Sequence, residues 1–211
     1  MKGFFITGTG TGVGKTVVAA VLTMILQCYY WKPIQTGVDS EVTDVDSVRS
    51  FTGLPDSHFL DSAYSFKEAL SPYHAARQEG KDINLARCYL PATSGFFIVE
   101  GAGGVYVPIN QQHCMLDLMQ QLALPIIVVC HGTLGTINHT LLTIEALRAR
   151  YLPIHGVVFS GELFTENREA IEAWGKVKTL FHLPLLTLKR ATLQTWALTQ
   201  KKQILAALDI P

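Results

Sequence analysis

The chain has 211 residues and 48% hydrophobic content, enough for one large domain with a sizeable core. Lys+Arg and Asp+Glu each total 17, so no net field directs it toward nucleic acid or an acidic membrane surface. No apolar run reaches membrane-spanning length, the N-terminus lacks a signal-peptide n-region, and Cys28, Cys88, Cys114 and Cys130 lie scattered without CxxC spacing. The expectation is a soluble, cytoplasmic protein with buried thiols.

In chain order, the first element is an apolar strand at Phe4–Thr7, followed by the Gly-rich stretch Thr7 to Thr16, TGTGTGVGKT, and a helix at Lys15–Gln27. Strand, glycine turn and helix form the context of a phosphate-binding loop. Its glycines let backbone N–H groups converge on phosphate oxygens, and the helix N-terminus adds partial positive charge. Lys15 would neutralise β- and γ-phosphates, and Thr16 would place its hydroxyl on Mg²⁺. The standard spacing is not met, because Thr9 stands where the first Gly should be.

A second strand at Tyr29–Lys32 runs into Trp31-Lys-Pro-Ile-Gln-Thr-Gly37. Pro33 holds Lys32 in extended backbone at the strand end, where it becomes a second fixed cation beside the loop, with Thr36 as a hydrogen-bonding neighbour. A short helix is expected at Asp46–Phe51. Asp44 or Asp46 could reach the phosphate region, and either could simply cap that helix. Another helix is expected at Pro72–Gln78.

The strand at Phe96–Glu100 ends in Glu-Gly-Ala-Gly-Gly. A carboxylate closing a buried apolar strand is costly unless compensated, and Mg²⁺ beside a nucleotide would compensate it. Gly101, Gly103 and Gly104 permit close backbone approach to a ligand. Beyond lie a helix at Leu116–Leu122, a strand at Pro125–Cys130 and a helix at Asn138–Arg150. The last elements are a strand at His155–Ser160, a helix at Thr165–Lys178, a weaker strand at Pro184–Leu186 and a helix at Leu193–Leu208. Continuous apolar strands alternating with helices predict a doubly wound, mostly parallel α/β sheet covered on both faces, in one domain over 1–211. Ligands then collect beyond the carboxyl ends of the strands, where all these polar loops fall.

Together, GTGTGVGKT, KPIQTG, SPYHAARQEG, VEGAGGVYVPI and LGTINHTLLT resemble the dethiobiotin synthetase family, in the family's order and over roughly Gly3 to Arg150. That family's loop has one more residue before Gly-Lys-Thr, which accounts for the spacing. The resemblance implies a homodimeric P-loop enzyme that takes 7,8-diaminononanoate, CO₂, ATP and Mg²⁺ and closes a ureido ring through a carbamate. It implies nucleotide binding by Gly12, Val13, Gly14, Lys15, Thr16 and Val17, with Asp46, Glu100, Gly101, Ala102 and Gly103 alongside. Thr16, Asp46 and Glu100 match the Mg²⁺ positions, and Lys15 and Lys32 the paired catalytic lysines. Thr11, Thr36 and Gly104 match substrate contacts, and Gly135, Thr136 and Asn138 a helix start that receives the substrate carboxylate from across the dimer. The chain departs from the family in several places. Gly12 replaces a frequent Glu, the Lys15–Lys32 segment is shortened, Ser160 replaces an adenine-reading Asn, and Pro184–Lys189 lacks the usual Gly and acid. The alternative reading is an ATPase switch of the partition and septum-site type, although the early loop lysine of that class is missing.

Overall fold

A computed structural model of the chain describes residues 2–39, 42–92 and 94–210. β1 (Gly3–Gly8) enters the glycine loop, and α1 (Lys15–Leu26) leaves it. Gln27 then takes a left-handed φ of 50°, so the chain turns within two residues into β2 (Tyr29–Trp31). After β3 (Ile34–Thr36), α2 (Asp44–Thr52), β4 (Phe59–Leu60) and β5 (Tyr64–Phe66) comes α3 (Pro72–Gln78), where Pro occupies an N-terminal helical position that needs no donor. β6 (Phe97–Gly104), α4 (Met115–Leu122), β7 (Ile126–Gly132), α5 (Thr136–Ala149) and β8 (Ile154–Leu163) follow. The chain closes with α6 (Thr165–Gly175), β9 (Thr179–Leu183) and α7 (Arg190–Ala207).

The main sheet has seven strands in the order β4-β2-β6-β1-β7-β8-β9, every neighbouring pair parallel. The doubly wound architecture is as expected. Period-2 alternation divides the core: Phe5, Trp31, Val99 and Val128 face the layer holding α3, α4, α5 and α6, and Phe4, Ile6, Tyr30 and Ile98 face α1, α2 and α7. β1 lies between β6 and β7, so the glycine loop emerges at the centre of the sheet, where successive crossovers diverge. Among the described residues no helix is long and apolar enough to cross a membrane.

Some elements differ from expectation. The last strand is Thr179–Leu183, not Pro184–Leu186, because Pro184 has no N–H to give the ladder while Ser160 of β8 pairs with Leu183. α6 stops at Gly175 rather than Lys178, since Lys176 turns left-handed at φ 45°. α2 starts at Asp44, two residues before the expected Asp46. A small parallel sheet of β3 and β5, absent from the sequence reading, fixes the segment after Lys32.

Candidate active site

The glycine loop continues the ladder at its start, with Thr9 N–H donating to Val129 O at 3.0 Å. It closes at Gly14, the N-cap of α1, which has a φ of 92°. A side chain there would be strained and would also lie 2.3 Å from Ser160 Oγ, so glycine is required twice over. Lys15 is 7% exposed, and its Nζ donates to Gly10 O at 2.7 Å. Burial holds its pKa below the ordinary value, although Glu100 and Asp44 pull the other way and Lys32 adds repulsion.

The β2–β6 register places Trp31 beside Val99, so Lys32 and Glu100 follow as neighbours at the two strand ends. Both are buried, at 3% and 1% exposure. Lys32 Nζ lies 2.8 Å from Asp44 Oδ2 and 3.2 Å from Glu100 Oε1, and it donates to Gly101 O at 3.4 Å. Burial would lower the Lys32 pKa, but the two carboxylates outweigh it and the net direction is up. For Asp44, burial pushes up, Lys32 and Thr16 outweigh it, and the carboxyl titrates below its ordinary range. Tyr30 completes the group, its hydroxyl donating to Glu100 Oε2 at 2.8 Å.

Thr16 Oγ1 sits 2.7 Å from Asp44 Oδ1 and 2.9 Å from Glu100 Oε1. A hydroxyl has one proton and cannot satisfy both carboxylates fully. Three hard oxygens therefore converge at a place that suits a cation. Among the described residues no group of three His, Cys, Asp or Glu forms a cage. Two carboxylates and a hydroxyl, with the rest of the shell left to phosphate and water, fit Mg²⁺.

Asp46 is not brought to this cluster. It lies at the third position of α2 in a reciprocal cap: Asp46 N–H donates to Thr43 Oγ1 at 3.1 Å, and Thr43 N–H donates to Asp46 Oδ2 at 3.3 Å. Arg49 pairs with its other oxygen at 3.1 Å. Asp44, at the first helical position, is the carboxylate that faces Thr16 and Lys32.

A cavity of about 700 Å³ opens over the cluster. Thr11, Gly12, Gly14, Lys15, Thr16, Val17, Lys32, Thr36, Asp44, Glu100, Ala102 and Gly103 line it, with Leu70 and Pro72 on the far wall. Val13 faces the core, so only its backbone is left for a ligand. Gly104 instead lines a larger neighbouring cavity of about 850 Å³, formed with Thr9, Tyr106, Val107, His139, Leu142 and Glu145. The smaller cavity holds the lysine–carboxylate cluster, and the larger one does not. Thr11 and Val107 line both. Gly135, Thr136 and Asn138 line neither. Gly135 is the N-cap of α5, Thr136 is buried with its hydroxyl on His131 O, and Asn138 is exposed. Tyr30 was not visible as a site residue from sequence, because a tyrosine in an apolar strand is ordinary.

The AAA domain family model matches residues 2–191. The chain is 46% identical over 185 residues to the biotin biosynthesis bifunctional protein BioCD of Bordetella avium, covering 88% of this chain and 40% of that longer protein. It is 45% identical over 186 residues to the ATP-dependent dethiobiotin synthetase BioD of Novosphingobium aromaticivorans, covering 88% and 89% of the two chains. Among solved structures, a ParA family ATPase from Chlorobium tepidum superposes with a TM-score of 0.56 at 11% identity, covering 93% of this chain and 97% of that one. At that identity the likeness is one of fold.

Proposed function

The chain belongs to the ATP-dependent dethiobiotin synthetase family, and on that premise we propose that its buried lysine–carboxylate cluster carries the phosphoryl transfer of ureido-ring closure. The observation that carries this reading is the convergence of Lys15, Lys32, Thr16, Asp44 and Glu100 on one cavity at the mouth of the glycine loop. In the proposed reaction, one amine of 7,8-diaminononanoate adds to CO₂ and loses a proton, giving a carbamate. The carbamate oxygen attacks the γ-phosphorus of ATP, and ADP leaves. The second amine then attacks the carbamate carbon, phosphate departs, and the ring closes.

Lys15 and Lys32 are fixed cations on either side of the transferring group, held before the reaction begins, which is where electrostatic catalysis is most effective. The backbone of Gly12 to Val17 would cradle the phosphates, Ala102 and Gly103 border the same cavity, and Gly101 lies just behind it with its carbonyl on Lys32. Thr16, Asp44 and Glu100 would hold Mg²⁺, which would supply positive charge to offset that of the triphosphate. Asp44 takes the place expected of Asp46. Thr11 and Thr36 offer hydroxyls to the diamine and carbamate, and Gly104 borders the adjoining groove. We place the substrate carboxylate at the start of α5, at Gly135, Thr136 and Asn138 of a second copy in a homodimer. That these residues line neither of the two cavities described above supports this. One domain and a cytoplasmic location belong to the same proposal, and four free cysteines are in keeping with a reducing compartment.

The test is ring closure with 7,8-diaminononanoate, bicarbonate as the CO₂ source, ATP and Mg²⁺. Dethiobiotin and ADP should form in equal amounts, with ADP release depending on the diamine. ADP release at the same rate without diamine would overturn the reading.

A further inference from the structure

Tyr30 lies on β2 beside Ile98 of β6, so Glu100, two residues further along β6 on the same face, is its diagonal neighbour. Diagonal pairs in a sheet are within reach of long aromatic side chains. The Tyr30 ring is fully buried in the layer under α1, 6.3 Å from the Phe59 ring centre to centre, so it has little freedom to turn away. Its hydroxyl holds Glu100 Oε2 at 2.8 Å, while Oε1 meets Thr16 at 2.9 Å and Lys32 at 3.2 Å. The two oxygens of one carboxylate are thus divided. One is tied to the core, and the other faces the cluster.

We propose that Tyr30 is a positioning residue for the metal-dependent step, pinning Glu100 Oε2 so that Oε1 is the single oxygen presented beside Thr16 and Asp44. This rests on the reading that Glu100 holds the metal. The physical basis is general: groups that hydrogen-bond a ligating side chain fix its orientation, and their loss costs about 10–100-fold in metal affinity. Without the hydroxyl, Glu100 could rotate its second oxygen into the cluster or turn away from Thr16, and the site would no longer be fixed before the metal arrives.

The experiment uses the full chain saturated with a non-hydrolysable ATP analogue and titrates Mn²⁺, counting free ion by EPR. Tyr30→Phe, Glu100→Gln and the double variant are compared with wild type, and each melting temperature is recorded so that titrations are run well below it. Tyr30→Phe should weaken Mn²⁺ by about 10-fold or more. Glu100→Gln should weaken it at least as much, and the double variant should match Glu100→Gln, because the tyrosine acts through that carboxylate. A purely structural role would lower the melting temperature and leave Mn²⁺ affinity where it was. Unchanged affinity in Tyr30→Phe with a loss in Glu100→Gln would overturn the inference while leaving the metal site standing. Losses that add in the double variant would also overturn it. If Glu100→Gln binds Mn²⁺ like wild type, the metal reading itself falls and the inference with it.

Discussion

Lys32 Nζ and Asp44 Oδ2 lie 2.8 Å apart, one at the end of β2 and the other at the start of α2. The pair joins two strand-to-helix segments across the mouth of the glycine loop. Lys32 also reaches Glu100 Oε1 and Gly101 O, so all three of its protons have acceptors. Within this cluster the lysine holds together two carboxylates that would otherwise repel each other.

Replacing Lys32 with Ala should therefore have two effects. Turnover should fall by about 100-fold or more, as when a preorganised charge is lost. Stability should fall with a defined pH dependence. The Asp44 pKa is depressed in the folded state, so its contribution is present above the ordinary 3.8 and fades as pH drops through the lower folded value. The Lys32 pKa is raised, so its contribution is complete below 10.5 and fades as pH climbs above it. The melting-temperature gap between wild type and variant should form a plateau across neutral pH and narrow at both extremes. A gap independent of pH would remove the ion pair as its cause.

Lys15 has the opposite sign. Its folded pKa lies below 10.5, chiefly through burial, so at neutral pH the folded state bears the cost of keeping it charged. Lys15→Met should be about 100-fold or more less active, yet should melt at or above the wild-type temperature without nucleotide. Heating both proteins at pH 7 and again above pH 10.5 tests this. The advantage of the variant should shrink at the higher pH, where the wild-type lysine is neutral.

The two aspartates of α2 should separate cleanly. Asp44→Asn should raise the Mg²⁺ concentration needed for half-maximal ring closure by about 10-fold or more. Asp46→Asn should leave that concentration unchanged and cost about 0.5–1 kcal/mol of stability by weakening the helix cap. A metal response in Asp46→Asn with none in Asp44→Asn would restore the original assignment.

What the sequence could and could not reveal follows from how local each signal is. Gly14, Lys15 and Thr16 are consecutive on a strand–turn–helix, so their geometry is carried by short-range backbone rules. Lys32 and Glu100 stood out because each ends an apolar run that leads into a site. Asp44 and Asp46 are two positions apart on one helix start, and which of them faces Thr16 depends on where the helix begins. Thr43 decides that as the cap, and the Thr43-x-x-Asp46 spacing of a capping box is the signal that assigns Asp46 to the helix start and leaves Asp44 for the cluster. Tyr30 gave no signal because its role exists only through Glu100, 70 positions along the chain. The last strand differs from expectation because leucines lie on both sides of Pro184, and pairing with β8 up to Leu183 together with the missing Pro184 N–H selects the earlier side.

The homodimer proposal is open to complementation. Leu134 and Asn138 are exposed at the start of α5, and Leu134 is fully so. If this segment serves the neighbour's cavity, Lys32→Ala and Asn138→Ala subunits, each inactive alone, should regain ring closure when mixed into heterodimers. One of the two sites in each would be intact. Heterodimers demonstrated by differently tagged subunits but still inactive would show that each site is built within one chain.

The last prediction concerns the nucleotide base. Rejecting the wrong base requires buried polar groups that only the right one can pair, because an unpaired group is what costs affinity. By the family resemblance, position 160 is where an Asn amide would read adenine with both a donor and an acceptor. Ser160 has a single short hydroxyl, and a Cβ on Gly14 would lie 2.3 Å from it, so that hydroxyl is packed against the glycine loop. The loop after β9 presents Leu185 at 83% exposure and Leu188 at 55%, both apolar. The groups around Gly14, Lys15 and Thr16 address phosphates, which all triphosphates share. ATP, CTP and GTP should therefore support ring closure with kcat/KM values within about 10-fold of one another, equivalent to about 1.4 kcal/mol. The comparison is made at saturating diamine and Mg²⁺ for each triphosphate, with Ser160→Asn alongside. The variant should favour ATP more strongly than wild type does, if the amide can be seated beside Gly14. A wild-type preference for ATP of about 100-fold or more would mean that backbone groups near β9 read the base without Ser160, and weak discrimination would be ruled out.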